Sequence, residues 1–183
     1  MQSISKQNKL DVLVKQPKKL FHTHDLELLW NINNKSTLYS TINRYLKNGY
    51  LIQVHRGFYS TVRLDDINPI ELGTSAFHEY CYLTTETVLA NSGVIFQIVP
   101  HLTFCSSKNR RLMINNQSFV SRQLKPAFLF QSAGIVEQSN YRQASPERAI
   151  ADMLYFNPHY YFDAHDTIDW KKVKEIQKEV GYI

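Results

Sequence analysis

Apolar and polar residues between positions 34 and 60 change their spacing once, from a helical repeat to an alternating one. A helix drawn from Asn34 gathers its apolar residues on one side and its polar residues on the other. Asn34 can cap the first turn through its side-chain oxygen, and Gly49 can supply the left-handed residue that ends the helix. The sequence therefore predicts one amphipathic helix between these two residues. Its apolar side consists of Leu38, Ile42, Tyr45 and Leu46.

A tight hairpin is predicted directly after this helix. Residues 50–54 and 58–62 are rich in β-branched and aromatic side chains, which favour strands. Between them, His55, Arg56 and Gly57 offer a reversal that contains a glycine. Arg56 is then a cation at the tip of the hairpin.

Two shorter helices and a strand are predicted before the amphipathic helix. Residues 9–15 can form a helix that Pro17 would end. Phe21 can lie in a short strand, and Thr23 can cap a second helix. The order of helix, helix, polar-faced helix and hairpin predicts a winged helix-turn-helix domain over residues 1–63.

The polar side of the predicted amphipathic helix has the composition of a surface that reads DNA. Its hydroxyl, amide and cationic groups can bond to base edges and phosphates, and arginine and asparagine can each make two bonds to one base. Arg56 can reach an adjacent phosphate or the minor groove. A polar face that is merely solvated is the simpler alternative for any single helix. The candidate DNA-binding residues are Lys35, Ser36, Thr37, Ser40, Asn43, Arg44, Lys47 and Arg56.

The remaining residues, 64–183, predict a small α+β domain with an antiparallel sheet, so the whole chain is expected to be α+β. Residues 63–69 combine charge, asparagine and proline and are the expected linker. Helices are predicted after the caps Asn68, Thr84 or Thr85, and Ser145, and again over Trp170–Val180. Strands are predicted over residues 98–106, 110–115, 119–124 and 135–141.

Charge is divided unequally between the two parts. Residues 1–63 contain ten lysines and arginines against three acids, a net charge of +7. Residues 64–183 contain eleven against thirteen, a net charge of −2. A basic part attracts phosphate and releases condensed counterions on binding, whereas an acidic part has no such attraction to DNA. Double-stranded DNA is therefore the expected partner of the first part, and the second part is expected to have another role.

Cysteine usage and hydropathy favour a reduced, cytoplasmic protein. Cys81 and Cys105 are far apart, and neither has a metal-ligand neighbour at CxxC or CxxH spacing. No apolar run approaches the roughly 20 residues that span a bilayer, and the polar N-terminal segment lacks the apolar core of a signal peptide. We expect no membrane association.

Two groups of histidines and acids are candidates for metal binding. His22 and His24 lie beside Asp25, but alternate residues of a strand or turn point apart. A denser group has plausible ligand spacing, although a loop that supplies helix caps is the simpler interpretation. We expect no bound metal. The denser group consists of His159, Asp163, His165, Asp166 and Asp169.

Catalytic motifs are not found. Glu147 and Asp152 form a possible carboxylate pair, but they lie on one helix at a spacing that makes them project in different directions. No serine or cysteine has a nucleophile context, and no glycine-rich loop is present to hold a phosphate. We therefore expect a protein that is not an enzyme and needs no cofactor.

Three sequence segments occur in an order and spacing that are similar to those of a known family. They are KNGYL with RGFY at residues 47–51 and 56–59, YLTTETVLANSG at 82–93, and ASPERAIADML at 144–154. The chain resembles the AbiEi-like antitoxins of abortive-infection, type IV, toxin–antitoxin systems and related winged-helix transcriptional regulators. The resemblance extends over about residues 9–180.

The resemblance implies a repressor that binds its own promoter and an attached domain that provides antitoxicity. It also implies a cognate nucleotidyltransferase-like toxin, and binding to the operator as a homodimer or cooperatively is possible. The residues leave one alternative open, an interaction protein that uses the winged helix to dock a protein partner and does not bind DNA.

Overall fold

The computed structural model describes residues 8–183, and their contacts form two compact units, one ending at Asn68 and one spanning Pro69–Ile183. The division falls after Asn68, whereas the sequence predicts a boundary after Arg63. The difference arises because the 3₁₀ turn Leu64–Asp66 and the buried Ile67 belong to the first unit. The mixture of helices and sheets confirms the α+β class.

Placing the boundary after Asn68 instead of Arg63 changes the net charge of each unit. Asp65 and Asp66 fall in the first unit, which then has ten basic residues against five acids, a net charge of +5. The second unit has eleven against eleven and is neutral. The acidic balance predicted for the second part is therefore wrong for the unit that the structure defines, whereas the basic balance of the first part remains.

The first unit contains three helices and a small antiparallel sheet. Its elements are α1 (Lys9–Val14), β1 (Leu20–His22), α2 (Thr23–Trp30), α3 (Lys35–Lys47), β2 (Ile52–His55) and β3 (Phe58–Ser60). β3 is the middle strand and pairs with β1 on one side and β2 on the other. All three helices contribute buried side chains to one core. This core consists of Leu13, Phe21, Leu26, Trp30, Ile32, Leu38, Ile42, Tyr45, Leu51 and Tyr59.

The second unit combines five helices with a six-stranded sheet. Its first elements are α4 (Pro69–Phe77), β4 (Cys81–Leu83), α5 (Thr85–Asn91), β5 (His101–Ser106), β6 (Arg110–Ile114) and β7 (Gln117–Gln123). The later ones are α6 (Pro126–Leu129), β8 (Ile135–Glu137), β9 (Arg142–Ala144), α7 (Pro146–Phe156) and α8 (Trp170–Val180). The strand order is β6-β7-β5-β4-β9-β8. None of the helices of residues 8–183 has the length and apolar character of a membrane-spanning segment.

The prediction of an antiparallel sheet in the second unit is wrong, because the sheet is mixed. β5 pairs with β7 in parallel, and β4 pairs with β9 in parallel, while the other neighbours are antiparallel. β5 and β6 are joined by a short connection, yet β7 lies between these two strands.

The burial of β6 and β7 explains this order. Asn115 and Asn116 both have positive φ, 49° and 62°, and this is the backbone of a two-residue turn that closes β6 and β7 into a hairpin. β7 carries the fully buried Phe119, whereas β6 exposes Arg110 and Arg111. Charged side chains suit an edge strand, so β7 takes the inner position beside β5 and β6 takes the edge.

A buried ion pair on α7 connects several elements of the second unit. Ser145 caps α7 as predicted, since its hydroxyl accepts from the Arg148 backbone N–H at 3.2 Å. Arg148 and Asp152 have no exposed side-chain surface, and Arg148 Nε donates to Asp152 Oδ1 at 2.7 Å. The Asp152 carboxylate also accepts from Thr84 Oγ1 at 2.7 Å and from the Tyr182 hydroxyl at 2.6 Å.

The other N–H groups of the Arg148 guanidinium are also satisfied. Nη1 donates to the carbonyls of Gln131 and Ala133, at 3.1 and 2.8 Å. Nη2 donates to the Tyr82 hydroxyl at 2.8 Å and to the Phe128 carbonyl at 3.3 Å. With the bond from Nε, all five guanidinium N–H donors have acceptors. The pair thus holds β4, α7, the segment after α6 and the residues after α8 in one arrangement.

Candidate nucleic-acid interface

Both ends of α3 are formed as the sequence predicts. Asn34 accepts from the Thr37 backbone N–H at 3.0 Å and lies within 3.3 Å of the Thr37 hydroxyl. Gly49 follows the last turn with φ at +74°, and the Tyr50 N–H returns to the Tyr45 carbonyl at 2.9 Å. The helix therefore begins and ends at defined residues.

The inner side of α3 is held by the core of the first unit. Leu38, Ile42 and Tyr45 are buried, with 2%, 1% and 6% of their surfaces exposed. The Tyr45 ring lies 4.9 Å from the ring of Trp30, whose indole N–H donates to the Lys9 carbonyl at 3.2 Å. These contacts with α2 and α1 orient α3, so its opposite side faces outward.

The structure exposes every residue that the sequence assigns to the candidate DNA-binding surface. Within residues 8–183, none of its four cations forms an ion pair with a carboxylate. Their charges are therefore available to an outside partner. Thr37 differs from the others because its hydroxyl contacts the cap of the helix. The exposed residues are Lys35, Ser36, Thr37, Ser40, Asn43, Arg44 and Lys47 on α3 and Arg56 on the hairpin.

Tyr39 is an exposed residue on this surface that sequence reasoning omits. It lies one turn from Lys35 and one turn from Asn43, and 51% of its surface is exposed. A phenol in this position can make both an apolar contact and a hydrogen bond. Its angular position next to Asn43 is the signal that would have found it, but aromatic residues are usually assigned to the core.

The hairpin β2–β3 places Arg56 at an exposed turn that is fastened to the start of α2. Gly57 has φ at +78°, as the reversal requires. The Thr23 N–H donates to the Gly57 carbonyl at 2.9 Å, and the Thr23 hydroxyl donates to the same oxygen at 3.3 Å. Thr23 thus anchors the hairpin, and it is the first residue of α2 rather than the cap that the sequence predicts.

The start of α2 is stabilised by Asp25 instead. Its carboxylate accepts from the His22 backbone N–H at 2.6 Å and from Lys18 Nζ at 2.9 Å. Burial by itself would raise the pKa of Asp25, but these donors outweigh it and leave the pKa below its ordinary value. His22 stacks on Phe58 of β3 with ring centroids 4.4 Å apart, which joins the start of α2 to the sheet.

No group of three or more histidine, cysteine, aspartate or glutamate side chains in residues 8–183 is arranged to hold a metal ion. Asp163 accepts from the Phe96 backbone N–H at 2.8 Å, and Asp169 caps α8 by accepting from the Lys172 N–H at 3.1 Å. These are structural roles of the kind that the sequence offers as the simpler interpretation.

Burial raises the pKa of Cys81 to about 12, so this thiol stays protonated at neutral pH.

Two of the three segments that carry the family resemblance meet inside the second unit. Tyr82 and Thr84 belong to the segment at 82–93, and they bond to Arg148 and Asp152 of the segment at 144–154. All four side chains are buried. These motif residues therefore hold the fold together and are not presented to a partner.

Comparison with known proteins shows a similarity of fold. No family model and no curated protein match the sequence. Among solved structures, the crystal structure of the RV2827C protein from Mycobacterium tuberculosis is similar, with a TM-score of 0.56 and 10% sequence identity. The similarity covers 94% of this chain and 73% of that chain. At this identity, the likeness concerns the α+β fold alone.

Proposed function

We propose that the first unit is a winged helix-turn-helix domain and that the protein is a sequence-specific DNA-binding repressor. The observation that carries the proposal is the outer side of α3, where hydroxyl, amide and cationic side chains are all exposed on a helix fixed by its core contacts. The basic charge of the unit and the exposed Arg56 support the same proposal. In this proposal α3 enters the major groove, and Arg56 contacts an adjacent phosphate or the minor groove.

The proposed contacts divide into two kinds. Asn43 and Arg44 have side chains suited to paired hydrogen bonds with one base, so they are assigned to sequence reading. Lys47 and Arg56 are assigned to phosphates, because they lie at the end of α3 and at the hairpin tip. The smaller polar residues Ser36 and Ser40 leave room for close approach of the helix.

The test is a titration of the full chain against two labelled duplexes at fixed salt. One duplex is the region upstream of the protein's own gene, and the other is the same sequence shuffled. We expect Asn43→Ala and Arg44→Ala to reduce the preference for the upstream duplex by roughly 1–3 kcal/mol. Lys47→Ala and Arg56→Ala should weaken binding to both duplexes and reduce the salt slope by about one.

Lys15→Ala is the matched control, because Lys15 is an exposed lysine directly after α1 and outside the proposed surface. It should bind both duplexes as the wild type does. If all four surface variants bind like the wild type, the assigned surface is wrong. If the wild type shows no salt-dependent binding to either duplex, the alternative of a protein-docking module is favoured.

We also propose that the second unit provides antitoxicity against a nucleotidyltransferase-like toxin and that the protein represses its own operon. The support is the family resemblance, and residues of two of its motifs bond to one another in the buried part of this unit. In this proposal the protein acts in the cytoplasm and has no catalytic activity of its own. The test is rescue of growth in cells that express the cognate toxin that this proposal requires. Failure of an abundant, folded protein to rescue growth would reject antitoxicity and leave DNA binding untouched.

A further inference from the structure

A cleft of about 660 Å³ lies within the second unit, where the end of β7 passes the end of α7. Its apolar wall is made of Pro126, Tyr155 and Phe156, and its polar lining has no carboxylate. This volume is in the range of sites that bind small molecules. The polar lining residues are Asn109, Arg122, Gln123 and Lys125.

Arg122 is held in a fixed position at the cleft. Its Nη2 is hydrogen-bonded to the Glu86 carboxylate, and its Nη1 approaches Met153 Sδ at 3.9 Å. The guanidinium also lies over the Phe156 ring, 5.4 Å from the centroid. A guanidinium has five N–H donors, so others remain for a ligand. Because the side chain is already ordered, less conformational entropy is lost when it binds an anion.

Lys125 and two side-chain amides complete the polar part of the cleft. Lys125 is exposed and has no carboxylate partner among the residues that the structure describes. Asn109 Oδ1 accepts from the Gln123 backbone N–H at 2.8 Å, which fixes the orientation of the Asn109 amide. Amide groups can both donate and accept, as the edge of a nucleobase requires.

We propose that this cleft binds a nucleoside monophosphate. The Glu86 carboxylate pairs with Arg122 but not with Lys125, so the cleft keeps one uncompensated positive charge, which favours a small anion. Both cations can donate to phosphate oxygens. The aromatic and proline wall suits a flat apolar body, and the amides suit the polar edge of a base. Inorganic phosphate would leave this wall unused, and a nucleoside would leave Lys125 without an anionic partner. The proposal concerns the second unit alone and does not depend on DNA binding.

The experiment is isothermal titration of the full chain with the four nucleoside monophosphates, the corresponding nucleosides and inorganic phosphate. We expect at least one nucleotide to bind in a saturable manner. Its nucleoside and inorganic phosphate should each bind at least about tenfold more weakly, since each lacks one set of contacts. Lys125→Gln should lower the affinity for the nucleotide by about tenfold without changing the thermal unfolding midpoint.

Two variants separate this site from other basic surfaces. Lys174→Gln removes an exposed lysine on α8, outside the cleft, and should leave nucleotide affinity unchanged. Arg44→Ala removes a cation of the proposed DNA-binding surface and should also leave it unchanged. The proposal is overturned if no nucleotide binds at millimolar concentration, if inorganic phosphate binds equally well, or if Arg44→Ala or Lys174→Gln reduces binding as much as Lys125→Gln.

Discussion

Arg148 shows what a fully buried charged side chain requires. Moving an ion out of water is costly unless an opposite charge and hydrogen bonds compensate it. Here burial would lower the pKa of Arg148, but the Asp152 carboxylate and nearby tyrosine hydroxyls outweigh that effect, so the pKa is raised and the guanidinium stays charged. Burial and then Asp152 raise the pKa of Tyr182, so its hydroxyl keeps the proton that it donates to the carboxylate.

Replacing Arg148 by methionine should destabilise the second unit strongly. The substitution fills part of the space but leaves the Asp152 carboxylate buried without its cation, a change that costs about 3–5 kcal/mol. The measurement is urea unfolding followed by circular dichroism. Arg142→Met is the matched control, because Arg142 pairs with the largely exposed Glu137 and such pairs contribute about 0–1 kcal/mol. Equal losses from the two substitutions would contradict the structural role given to Arg148.

Gly134 is constrained by the same arginine. A Cβ atom at this position would lie 2.7 Å from the Arg148 Cβ and 3.0 Å from Ile176 Cδ1, and the residue also has φ at +69°. Both the space and the backbone conformation therefore exclude a larger side chain. The sequence shows a glycine before a strand here, but it does not show that Arg148 and Ile176 pack against that glycine.

At the scale of elements, α2 depends on a carboxylate at its start. Because the pKa of Asp25 is lowered in the folded protein, the ionised form stabilises the fold. This contribution is fully present above the pKa of Asp25 in the unfolded chain, ordinarily 3.8, and it is lost as pH falls through the lower folded value.

We therefore expect the first unit to lose stability below about pH 4, and Asp25→Asn to reduce this loss. Trp30 lies in the core of the first unit, so its fluorescence reports on that unit in a Trp170→Phe background. The measurement compares urea unfolding midpoints at neutral and acidic pH. Asp11→Asn is the control, since Asp11 is exposed in the first turn of α1. Identical pH dependence in wild type and Asp25→Asn would refute this account of the helix start.

The elements that sequence predicts best are those with several turns and marked ends. α3 and α7 have the expected starts at Asn34 and Ser145, and α8 spans the expected residues. In contrast, β4 and β9 have three residues each, too few for periodicity to distinguish a strand from a loop. The predicted strand at residues 135–141 proves to be the short β8 followed by a turn to β9.

Features that depend on contacts between distant residues could not be predicted from the sequence. The parallel pairing of β5 with β7 arises because the more buried β7 takes the inner position and the charged β6 takes the edge, and no local pattern indicates that arrangement. For the candidate DNA-binding residues on α3, helical periodicity was enough to predict exposure. Exposure there depends only on which side of the helix packs against the core. The cleft at Arg122 joins residues from β7, α6, α7 and the loops, so spacing along the chain does not reveal it.

At the scale of the molecule, the two units differ in charge and each has its own buried residues. The first is basic, and the second is neutral. Unit-sized segments with their own cores are able to fold alone. The proposed DNA-binding surface lies entirely within the first unit, so its chemistry does not require the second.

We expect a fragment of residues 1–68 to bind the upstream duplex and a fragment of residues 69–183 to retain antitoxicity without binding DNA. Circular dichroism should first establish that each fragment is folded. Operator binding by the short fragment should be weaker than that of the full chain if binding needs two copies. A folded second fragment that binds the duplex as tightly as the full chain would contradict the division, and so would one that cannot protect cells while the full chain does.

The bond between Tyr182 and Asp152 also sets an order of events during synthesis. Domains fold as units, N-terminal first, as the chain emerges from the ribosome. All the elements of the first unit lie before residue 69, so it can fold early. The second unit cannot complete the bonds around Asp152 until residue 182 has emerged, because Tyr182 supplies one of them. A nascent chain would thus display its proposed DNA-binding surface while the later unit is still unfinished.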